Sequence, residues 1–401
     1  MTIGVLKETK TPPDRRVSIT PSVAREIMTN FQDCSIIVEP SDIRAFKDSE
    51  YTSLHIPVSS DLTNCDLLMG IKEVALSHLI PNKAYMFFSH TGKKQSYNRS
   101  LLQKCAELNI TLIDYEYLTD EQHNRLIAFG RWAGIVGAYN GIMTFGLKSD
   151  LFHLKRASQC FDLSEMFSEL DHIKLPAIKI LLTGGGRVAS GAMETLNHLH
   201  LKEVSPEEYL SKTFNEAVFC RLDPWYYVKH KHNKEFVLEH FFQHPDEYES
   251  TFMPYALKSD MYITCHFWDP KSPVFLNAED YLLPDFHIQV IADVSCDIKK
   301  PVASTIRPST IADPIYGYNP LTQAEDDFHK KGVVAVMAVD NLPAELPRNS
   351  SEDFSHIFYN RILPEWLNGD KNGIIERATI LKNGKLTPNF EYLSNYLAGK
   401  E

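Results

Sequence analysis

Cysteine pairs, long apolar runs and an excess of basic charge are all absent from this chain. The seven cysteines are scattered, and no two of them form a CxxC pair, which fits reduced thiols better than a disulfide framework. No run of 18 apolar residues exists, and the small-residue stretch 132–146 is too short to span a bilayer. The first residues enter an apolar run at once and lack a signal-peptide layout. These absences predict a cytoplasmic protein with no membrane span.

Acidic residues outnumber basic ones, with 52 Asp and Glu against 41 Lys and Arg, for a formal net charge of −11. Broad nucleic-acid or anionic-membrane binding needs a basic surface, so neither partner is expected. A small-molecule substrate is expected instead, and no oligomeric state is predicted. The length of 401 residues and the 43% apolar content favour two or three folded domains.

The most informative stretch is 177–192, in which a short apolar run ends in three glycines and continues into a helix-forming segment. This pattern is typical of the strand, tight turn and helix N-terminus on which a dinucleotide pyrophosphate sits. Gly184 would allow the sharp turn, and Gly186 would allow the phosphates to approach the backbone closely. The small side chain of Ala189 would allow the helix to pack on the strand. The cofactor is therefore predicted to be NAD or NADP, bound by Gly184, Gly185, Gly186, Arg187, Val188 and Ala189.

Short apolar runs alternate with helical segments along the whole chain, which predicts an α/β fold with mostly parallel sheets. The runs in the first part are 2–6, 35–38, 67–71, 85–89 and 111–114, and helices are expected from Pro21, after a cap at Thr20, and over 96–108. A Gly- and Ala-rich helix over 125–146 would connect to a second α/β unit, which has strands at 177–183, 261–267, 288–295 and 333–339 and an aromatic, charged insert at 205–258. A last helix is expected over 350–367.

Two charged side chains follow neighbouring strands of the first part. Lys72 comes directly after the run 67–71, and His90 lies at the same place after 85–89. At the ends of neighbouring strands the two could share one reacting nitrogen, and mutual repulsion would lower their pKa values. The alternative interpretation is a surface lysine and a histidine satisfied by backbone hydrogen bonds.

Several spaced motifs, in order along the chain, resemble the alanine dehydrogenase and transhydrogenase superfamily. They are Gly4–Lys10, Arg16–Pro21, Gly70–Glu73, Phe88–Thr91, Ala128–Gly134, Asp293–Asp297 and Asp340–Arg348. Within that superfamily they are similar to the lysine-forming saccharopine dehydrogenases and to the lysine–ketoglutarate reductase half of a bifunctional enzyme. The segments 244–248 and 264–268 resemble the reductase half more closely.

The resemblance implies two Rossmann-like domains with parallel sheets flanked by helices and an active site in the interdomain cleft. The substrate and catalytic domain would comprise 1–131 and 341–401, and the dinucleotide-binding domain 132–340. The implied reaction interconverts saccharopine with L-lysine and 2-oxoglutarate, using NAD(P). Lys72 and His90 fall on the acid/base pair of the family, and the substrate-side positions are Lys10, Arg16, Glu73, Glu116, Arg125 and Asp340.

Structural alternatives apply to several of these positions. Arg125, expected to open the connector helix, could form a helix-end salt bridge, and Asp340 could cap the following helix. Glu73 and Glu116 could each be half of a solvated pair. Asp293 and Ser295, expected at the cofactor crevice, could be turn residues.

The choice between NAD and NADP is left open by the sequence. Glu203 has the spacing of the acid that binds the adenosine ribose, but the strand extends toward Ser205, whose hydroxyl suits either cofactor. Arg187 could meet a 2′-phosphate, and the reductase half that the insert resembles uses NADPH.

No metal site is predicted. His230 and His232 form a His-x-His pair, but no nearby cysteine or carboxylate completes a ligand set, and a solvated basic stretch is expected. Two other functions remain as alternatives: an amino-acid dehydrogenase of the alanine type, and a non-catalytic nucleotide-binding protein on the same fold.

Overall fold

The chain forms two units, each built around a mostly parallel sheet. The computed structural model describes residues 1–400 and places 1–129 together with 347–400 in the first unit and 130–346 in the second. The sequence-based boundaries fall at 131/132 and 340/341. Elements are numbered below in chain order.

In residues 1–129, five strands alternate with three α-helices. They are β1 Thr2–Val5, α1 Pro21–Asn30, β2 Ser35–Val38, α2 Asp48–Thr52, β3 Leu67–Met69, β4 Ala84–Phe87, α3 Arg99–Glu107 and β5 Thr111–Asp114.

Residues 130–346 begin with the longest helix of the described chain and continue with strands and shorter helices. They are α4 Gly130–Ser149, α5 Leu163–Leu170, β6 Lys179–Thr183, α6 Arg187–His198, β7 Lys202–Glu203, α7 Pro206–Ser211, β8 Val218–Leu222, α8 Pro224–Tyr227, β9 Val228–His230, α9 Leu238–Gln243, β10 Tyr248–Ser250, α10 Met253–Ala256, β11 Met261–Thr264, β12 Val290–Asp293, β13 Ile315–Asn319, β14 Ala324–Asp326 and β15 Val334–Met337.

The remaining residues return to the first unit. They form α11 Pro347–Ile357, a π-helical turn Phe358–Ile362, α12 Leu363–Leu367, α13 Ile374–Ala378, β16 Thr379–Lys382, β17 Lys385–Leu386 and α14 Ser394–Leu397. Because β16 pairs antiparallel with β5, the C-terminal tail extends the sheet that the N-terminal residues begin.

The first sheet has the strand order β17-β16-β5-β4-β3-β1-β2, and the five strands from β2 to β5 are parallel. Its central strands are apolar and fully buried, as in β1, where Ile3 and Val5 are both 0% exposed. A parallel strand without a polar face needs helices on both sides of the sheet, which explains the near-continuous apolar runs in the sequence.

The second sheet has the order β14-β13-β15-β12-β11-β6-β8-β7, and β13 is antiparallel to both of its neighbours, β14 and β15. The strand β6 lies inside this sheet, between β11 and β8. The strand β7 is the next strand after β6 in the sequence. In the sheet, however, it lies at the edge, beyond β8. Strands β9 and β10 form a separate antiparallel pair within the predicted insert.

One predicted helix start is wrong, and a second helix begins where predicted but in 3-10 form. The connector helix begins at Gly130 and not at Arg125, which instead lies in the preceding loop and bridges to Thr119. The helix expected from Ser96 begins with a 3-10 turn and becomes α-helical at Arg99. Thr20 does occupy the cap position of α1, but its side chain makes no capping hydrogen bond. Among the described residues, no helix combines the length and apolar character needed to cross a bilayer.

Candidate active site

Charged side chains collect at the carboxyl edge of the first sheet. The strands β1, β3, β4 and β5 are parallel and therefore end at the same edge. Glu8 follows β1, Lys72 and Glu73 follow β3, His90 follows β4, and Glu116 follows β5. In open α/β sheets this edge is where ligands bind, because the loops after the strands converge there.

Glu73 joins two of the predicted residues. Its Oε2 is 2.9 Å from Lys10 Nζ, and its Oε1 is 2.8 Å from His90 Nδ1. Burial disfavours the Glu73 anion, but the hydrogen bonds from His90 and Lys10 outweigh burial and hold its pKa at about 2. Because an ionised carboxylate can only accept, His90 must donate from Nδ1, which leaves Nε2 as its reactive nitrogen.

His90 is further held through its backbone. It adopts a left-handed conformation, with φ of 53°, and its N–H donates to Asp114 Oδ2 at 3.1 Å. The same Asp114 oxygen accepts from the N–H and the hydroxyl of Ser89. Hydrogen bonds to the ring and to the backbone N–H therefore fix the position of His90. Its left-handed backbone conformation is strained, and such conformations cluster at functional sites.

The Lys72 side-chain nitrogen has no hydrogen bond or ion pair with any residue in 1–400, although the side chain is half-buried. Burial and the nearby cations Arg16 and Lys10 lower its pKa, and these effects outweigh the opposing field of Asp14. A lysine with a lowered pKa is neutral for a larger fraction of the time, so its nitrogen can act as a base. Its backbone N–H donates to Glu8 Oε2 at 2.9 Å.

Arg16 differs from the expectation of an accessible substrate-binding cation. Its side chain is 2% exposed, and its Nε and NH2 atoms lie 3.0 and 2.6 Å from the two oxygens of Asp14. Its guanidinium also stacks 4.3 Å from the centre of the Phe129 ring. Burial works against the Asp14 anion, but Arg16 prevails and holds the Asp14 pKa at about 2. A substrate contact of Arg16 stays a prediction.

Glu116 collects a second set of cations. Its Oε1 is 2.9 Å from Lys93 Nζ and 2.6 Å from Arg125 NH2, while Arg125 Nε donates to the Glu116 carbonyl. Its other oxygen, Oε2, is buried and has no hydrogen-bond partner among the described residues. The solvated pair considered for such carboxylates is therefore wrong for Glu116. Sequence reasoning missed Lys93, because nothing in the letters separates a lysine three residues after His90 from an ordinary surface lysine.

The glycine turn of the second unit has the geometry of a dinucleotide cradle. Gly184 has φ of 113°, and a Cβ there would lie 2.4 Å from the Cys265 carbonyl oxygen. Gly186 caps the N-terminus of α6, and a Cβ at Gly186 would meet nothing within 4 Å. Gly185 and Arg187 are exposed, Val188 is half-buried, and Ala189 is buried against the sheet. The open space at Gly186 and its place at a helix N-terminus fit a pyrophosphate.

The strand order brings an acid other than Glu203 beside the glycine turn, and a ribose contact of Glu203 or Ser205 stays a prediction. Glu203 lies in the edge strand β7, away from β6, and Ser205 caps α7 by accepting from the Glu208 N–H. The strand beside β6 is β8, and Asp223 follows it directly. Asp223 lies over the glycine turn, since a Cβ at Gly185 would be 2.4 Å from its Oδ1. That oxygen is also 2.7 Å from Arg221 NH1. The signal for Asp223 was the apolar run 217–220, which the sequence analysis assigned to the insert.

Asp293 is buried, and both of its carboxylate oxygens accept hydrogen bonds. Its Oδ1 accepts from the Thr264 hydroxyl and the Cys296 N–H, and its Oδ2 accepts from the Thr305 hydroxyl at 2.6 Å. Ser295 donates to the His266 carbonyl at 2.8 Å. These bonds join the ends of β11 and β12, so Asp293 organises the turns and does not face solvent in this structure.

Asp340 is exposed and belongs to the second unit. The capping alternative for Asp340 is wrong, because Asn341 holds the cap position of the following 3-10 turn, Leu342–Glu345. A substrate role of Asp340 stays a prediction.

The expectation of a solvated histidine stretch is wrong for His230. That side chain is 1% exposed, and its Nε2 lies 3.1 Å from Glu247 Oε2, so a carboxylate does stand beside it. His240 of α9 is the third member of this group, which offers one ligand atom from each residue within 4.8 Å of the others.

Comparison with known proteins now adds to the geometry. Residues 4–136 match the alanine dehydrogenase/PNT N-terminal domain. This match covers the strand ends that carry Lys72, His90 and Glu116, and it confirms the resemblance predicted from the sequence.

Similar proteins extend over nearly the whole chain. The alpha-aminoadipic semialdehyde synthase of Arabidopsis thaliana is 28% identical, over 98% of this chain and 41% of its own length. The chain therefore spans about two fifths of that relative. The NAD(+), L-lysine-forming saccharopine dehydrogenase of Candida glabrata is 24% identical, over 96% of this chain and 100% of its own length.

Solved structures support the fold. An L-alanine dehydrogenase superposes with a TM-score of 0.67 at 15% identity, covering 99% of this chain and 100% of that one. A transhydrogenase of Sinorhizobium meliloti gives a TM-score of 0.58 at 12% identity, covering 96% and 99%. The predicted α/β fold with two mostly parallel sheets is confirmed.

Proposed function

We propose that the chain is an NAD(P)-dependent oxidoreductase acting on the C–N bond of an amino acid, and specifically that it interconverts saccharopine with L-lysine and 2-oxoglutarate. The observation that carries this proposal is the group Lys72, Glu73 and His90 at the ends of β3 and β4. The Lys72 side chain has no ion-pair partner within residues 1–400 and has a lowered pKa, and His90 has its tautomer fixed by a carboxylate. The relatives whose names include saccharopine dehydrogenase and semialdehyde synthase support the substrate class.

The chemistry needs two proton-transfer groups. Oxidation of a secondary amine removes a proton from nitrogen and a hydride from carbon, and water then adds to the imine and splits it into amine and keto acid. A bound nicotinamide supplies the hydride acceptor. Neutral Lys72 would take the amine proton, and His90 Nε2 would relay protons during water addition. Glu73 would stabilise the His90 cation that forms.

The charges around Glu116 suit the ends of the substrate. Lys93 and Arg125 could each turn from Glu116 to a substrate carboxylate, and Lys10 could do so from Glu73. The buried Glu116 Oε2 would accept from a substrate ammonium.

The glycine turn supports dinucleotide binding by Gly184, Gly185, Gly186 and the start of α6. Asp223 replaces Glu203 as the acid proposed for the adenosine ribose, and Arg221 stands beside it. The relatives named as NAD(+) enzymes and the carboxylate of Asp223 both favour NAD, whereas the arginines leave room for NADP.

The proposal is tested by NAD(P)H absorbance with saccharopine, with lysine plus 2-oxoglutarate, and with alanine, using each cofactor. Wild type should turn over saccharopine. The double variant Lys72→Met with His90→Gln should lose about 10²–10⁴-fold in kcat or more, because both proton-transfer groups are gone, while NADH binding measured by fluorescence is retained.

Lys104→Met, at a partly exposed lysine on α3, serves as the matched control and should keep normal turnover. Activity on alanine alone would replace the saccharopine assignment with an alanine-type dehydrogenase. Near-normal turnover in the double variant would remove Lys72 and His90 from the chemistry, and dinucleotide binding without any turnover would favour a non-catalytic protein.

A further inference from the structure

Three residues of the insert that the proposed function does not use converge from different elements. His230 is the last residue of β9, His240 lies in α9, and Glu247 immediately precedes β10. The antiparallel pairing of β9 with β10 sets His230 opposite Tyr248 and so places Glu247 beside it. One ligand atom from each of the three lies within 4.8 Å of the other two.

The spacing of these atoms suits a tetrahedral metal ion. Glu247 Oε2 is 3.1 Å from His230 Nε2 and 3.9 Å from His240 Nε2. Ligands on a zinc ion, with bonds of about 2.0–2.1 Å, stand roughly 3.3 Å apart at the tetrahedral angle. The Nε2 atom of His240 makes no hydrogen bond to a described residue, and at 3.9 Å it is too far from the carboxylate for one.

Neighbouring side chains hold the two rings. Tyr248 is buried, its hydroxyl is 3.1 Å from His240 Nδ1, and its ring centre lies 5.3 Å from that of His230 and 5.9 Å from that of His240. A polar partner on the second ring nitrogen is the usual companion of a metal-ligating histidine. His230 is buried while His240 and Glu247 are 37% and 41% exposed, so an ion can enter from solvent and keep a position for water.

We propose that His230, His240 and Glu247 form a zinc site that joins β9, α9 and the start of β10. Two imidazoles and one carboxylate are a ligand set that zinc takes, whereas magnesium and calcium prefer oxygen ligands alone. Lys234 Nζ lies 4.0 Å from Glu247 Oε2, and it would move away when a cation occupies the site.

Zinc binding requires a proton to change place on His230. The Nδ1 atom of His230 accepts from the His232 N–H at 3.0 Å, so without metal the ring proton is on Nε2 and faces Glu247. A metal on Nε2 displaces this proton, and the neutral ring then carries its proton on Nδ1. The His232 N–H therefore loses its acceptor, which gives zinc binding a signature that activity does not report.

The experiment is calorimetric titration of the untagged full chain with zinc chloride, and with magnesium chloride for comparison. Wild type should bind one zinc ion per chain and no magnesium. His240→Gln and Glu247→Gln, at partly exposed positions that should not affect folding, are each expected to weaken zinc binding at least about 10-fold. His172→Gln, an exposed histidine of the same unit, is the matched control and should bind zinc like wild type.

Nitrogen-15 spectra of the histidine rings supply the second measurement. Zinc should convert His230 from the Nε2–H to the Nδ1–H form and speed hydrogen exchange at the His232 amide. The proposal is overturned if wild type binds no zinc, if both variants bind it like wild type, or if His230 keeps its Nε2 proton in the zinc-loaded chain.

Discussion

Two glutamates at neighbouring strand ends show how one side-chain type acquires opposite protonation behaviour. Glu73 receives hydrogen bonds from a lysine and a histidine, and its pKa is about 2. Glu8 is buried, receives only the backbone N–H groups of Ile71 and Lys72, and has Arg16 at longer range, so burial raises its pKa to about 7. Direct cationic partners decide the difference, since both carboxyls are desolvated.

Glu8 predicts a pH dependence of stability. Its pKa rises from an ordinary 4.5 to about 7, so the folded state holds the proton more tightly than the unfolded state. The resulting stability is fully present below pH 4.5 and is lost as the pH rises through 7. The free energy of unfolding of wild type, relative to Glu8→Gln, should therefore fall by about 2.5 kcal/mol between pH 5 and pH 8.

Urea unfolding of both proteins at the two pH values measures this difference. Glu107→Gln on α3, where the carboxyl is exposed, is the control and should show no such trend. Parallel pH curves for wild type and Glu8→Gln would mean that Glu8 does not titrate in this range.

The carboxylate of Asp223 leads to a prediction about the preference for NAD over NADP. A carboxylate that accepts from the ribose hydroxyls also repels a 2′-phosphate. Asp223→Ser should therefore lower kcat/KM for NAD+ by about 10-fold or more and lower the value for NADP+ much less. Steady-state assays with each cofactor measure the ratio. Glu203→Gln is the matched control, and a loss of NAD+ preference there instead would restore the spacing-based assignment.

At the scale of elements, glycines do two different tasks in the second unit. The helices α4 and α6 lie in close contact, and a Cβ at Gly134 would stand 1.8 Å from the Val188 carbonyl oxygen. A Cβ at Gly186 meets open space. The first glycine permits helix packing, and the second leaves room at the helix N-terminus.

The two tasks predict separable effects. Gly134→Ala should lower the free energy of unfolding by at least about 1–3 kcal/mol, because the backbones must move apart. Gly186→Ala should leave the melting temperature nearly unchanged and weaken NADH binding, since its methyl group would stand where a pyrophosphate approaches. Thermal melts and fluorescence titration of both variants check this. Unaltered NADH affinity in Gly186→Ala would mean that no phosphate approaches this turn.

Elements with strong local patterns were predictable, and those that depend on distant pairing were not. The strands β1 to β6 and β15 could be predicted from the apolar composition of their segments. The short antiparallel strands β13, β14, β16 and β17 carry no such signal, because they exist only by pairing at a sheet edge. The predicted start of the connector helix at Arg125 was wrong for a related reason, because an ion pair with Glu116 holds Arg125 in the loop before the helix.

At the scale of the whole molecule, strand order is what sequence reasoning missed. The ribose position was placed by counting from Gly184 to the next strand along the chain, which is β7. In the structure β8 inserts between β6 and β7, so the adjoining strand end carries Asp223 and not Glu203. Counting residues gives a distance along the chain, but hydrogen bonding between strands decides which ends become neighbours.

The sequence alone determined the fold class, the glycine turn and the residues at the ends of β3 and β4, because apolar periodicity and backbone freedom are local properties. Only the tertiary structure decided the ion pairs. Folding pairs Arg16 with Asp14, His90 with Glu73 and Glu116 with Lys93, and it leaves Lys72 without a partner among the described residues. Those pairings set protonation through burial and through charges a few ångströms apart. The pairs of Glu73 with His90 and of Glu116 with Lys93 form only when the ends of different strands come together.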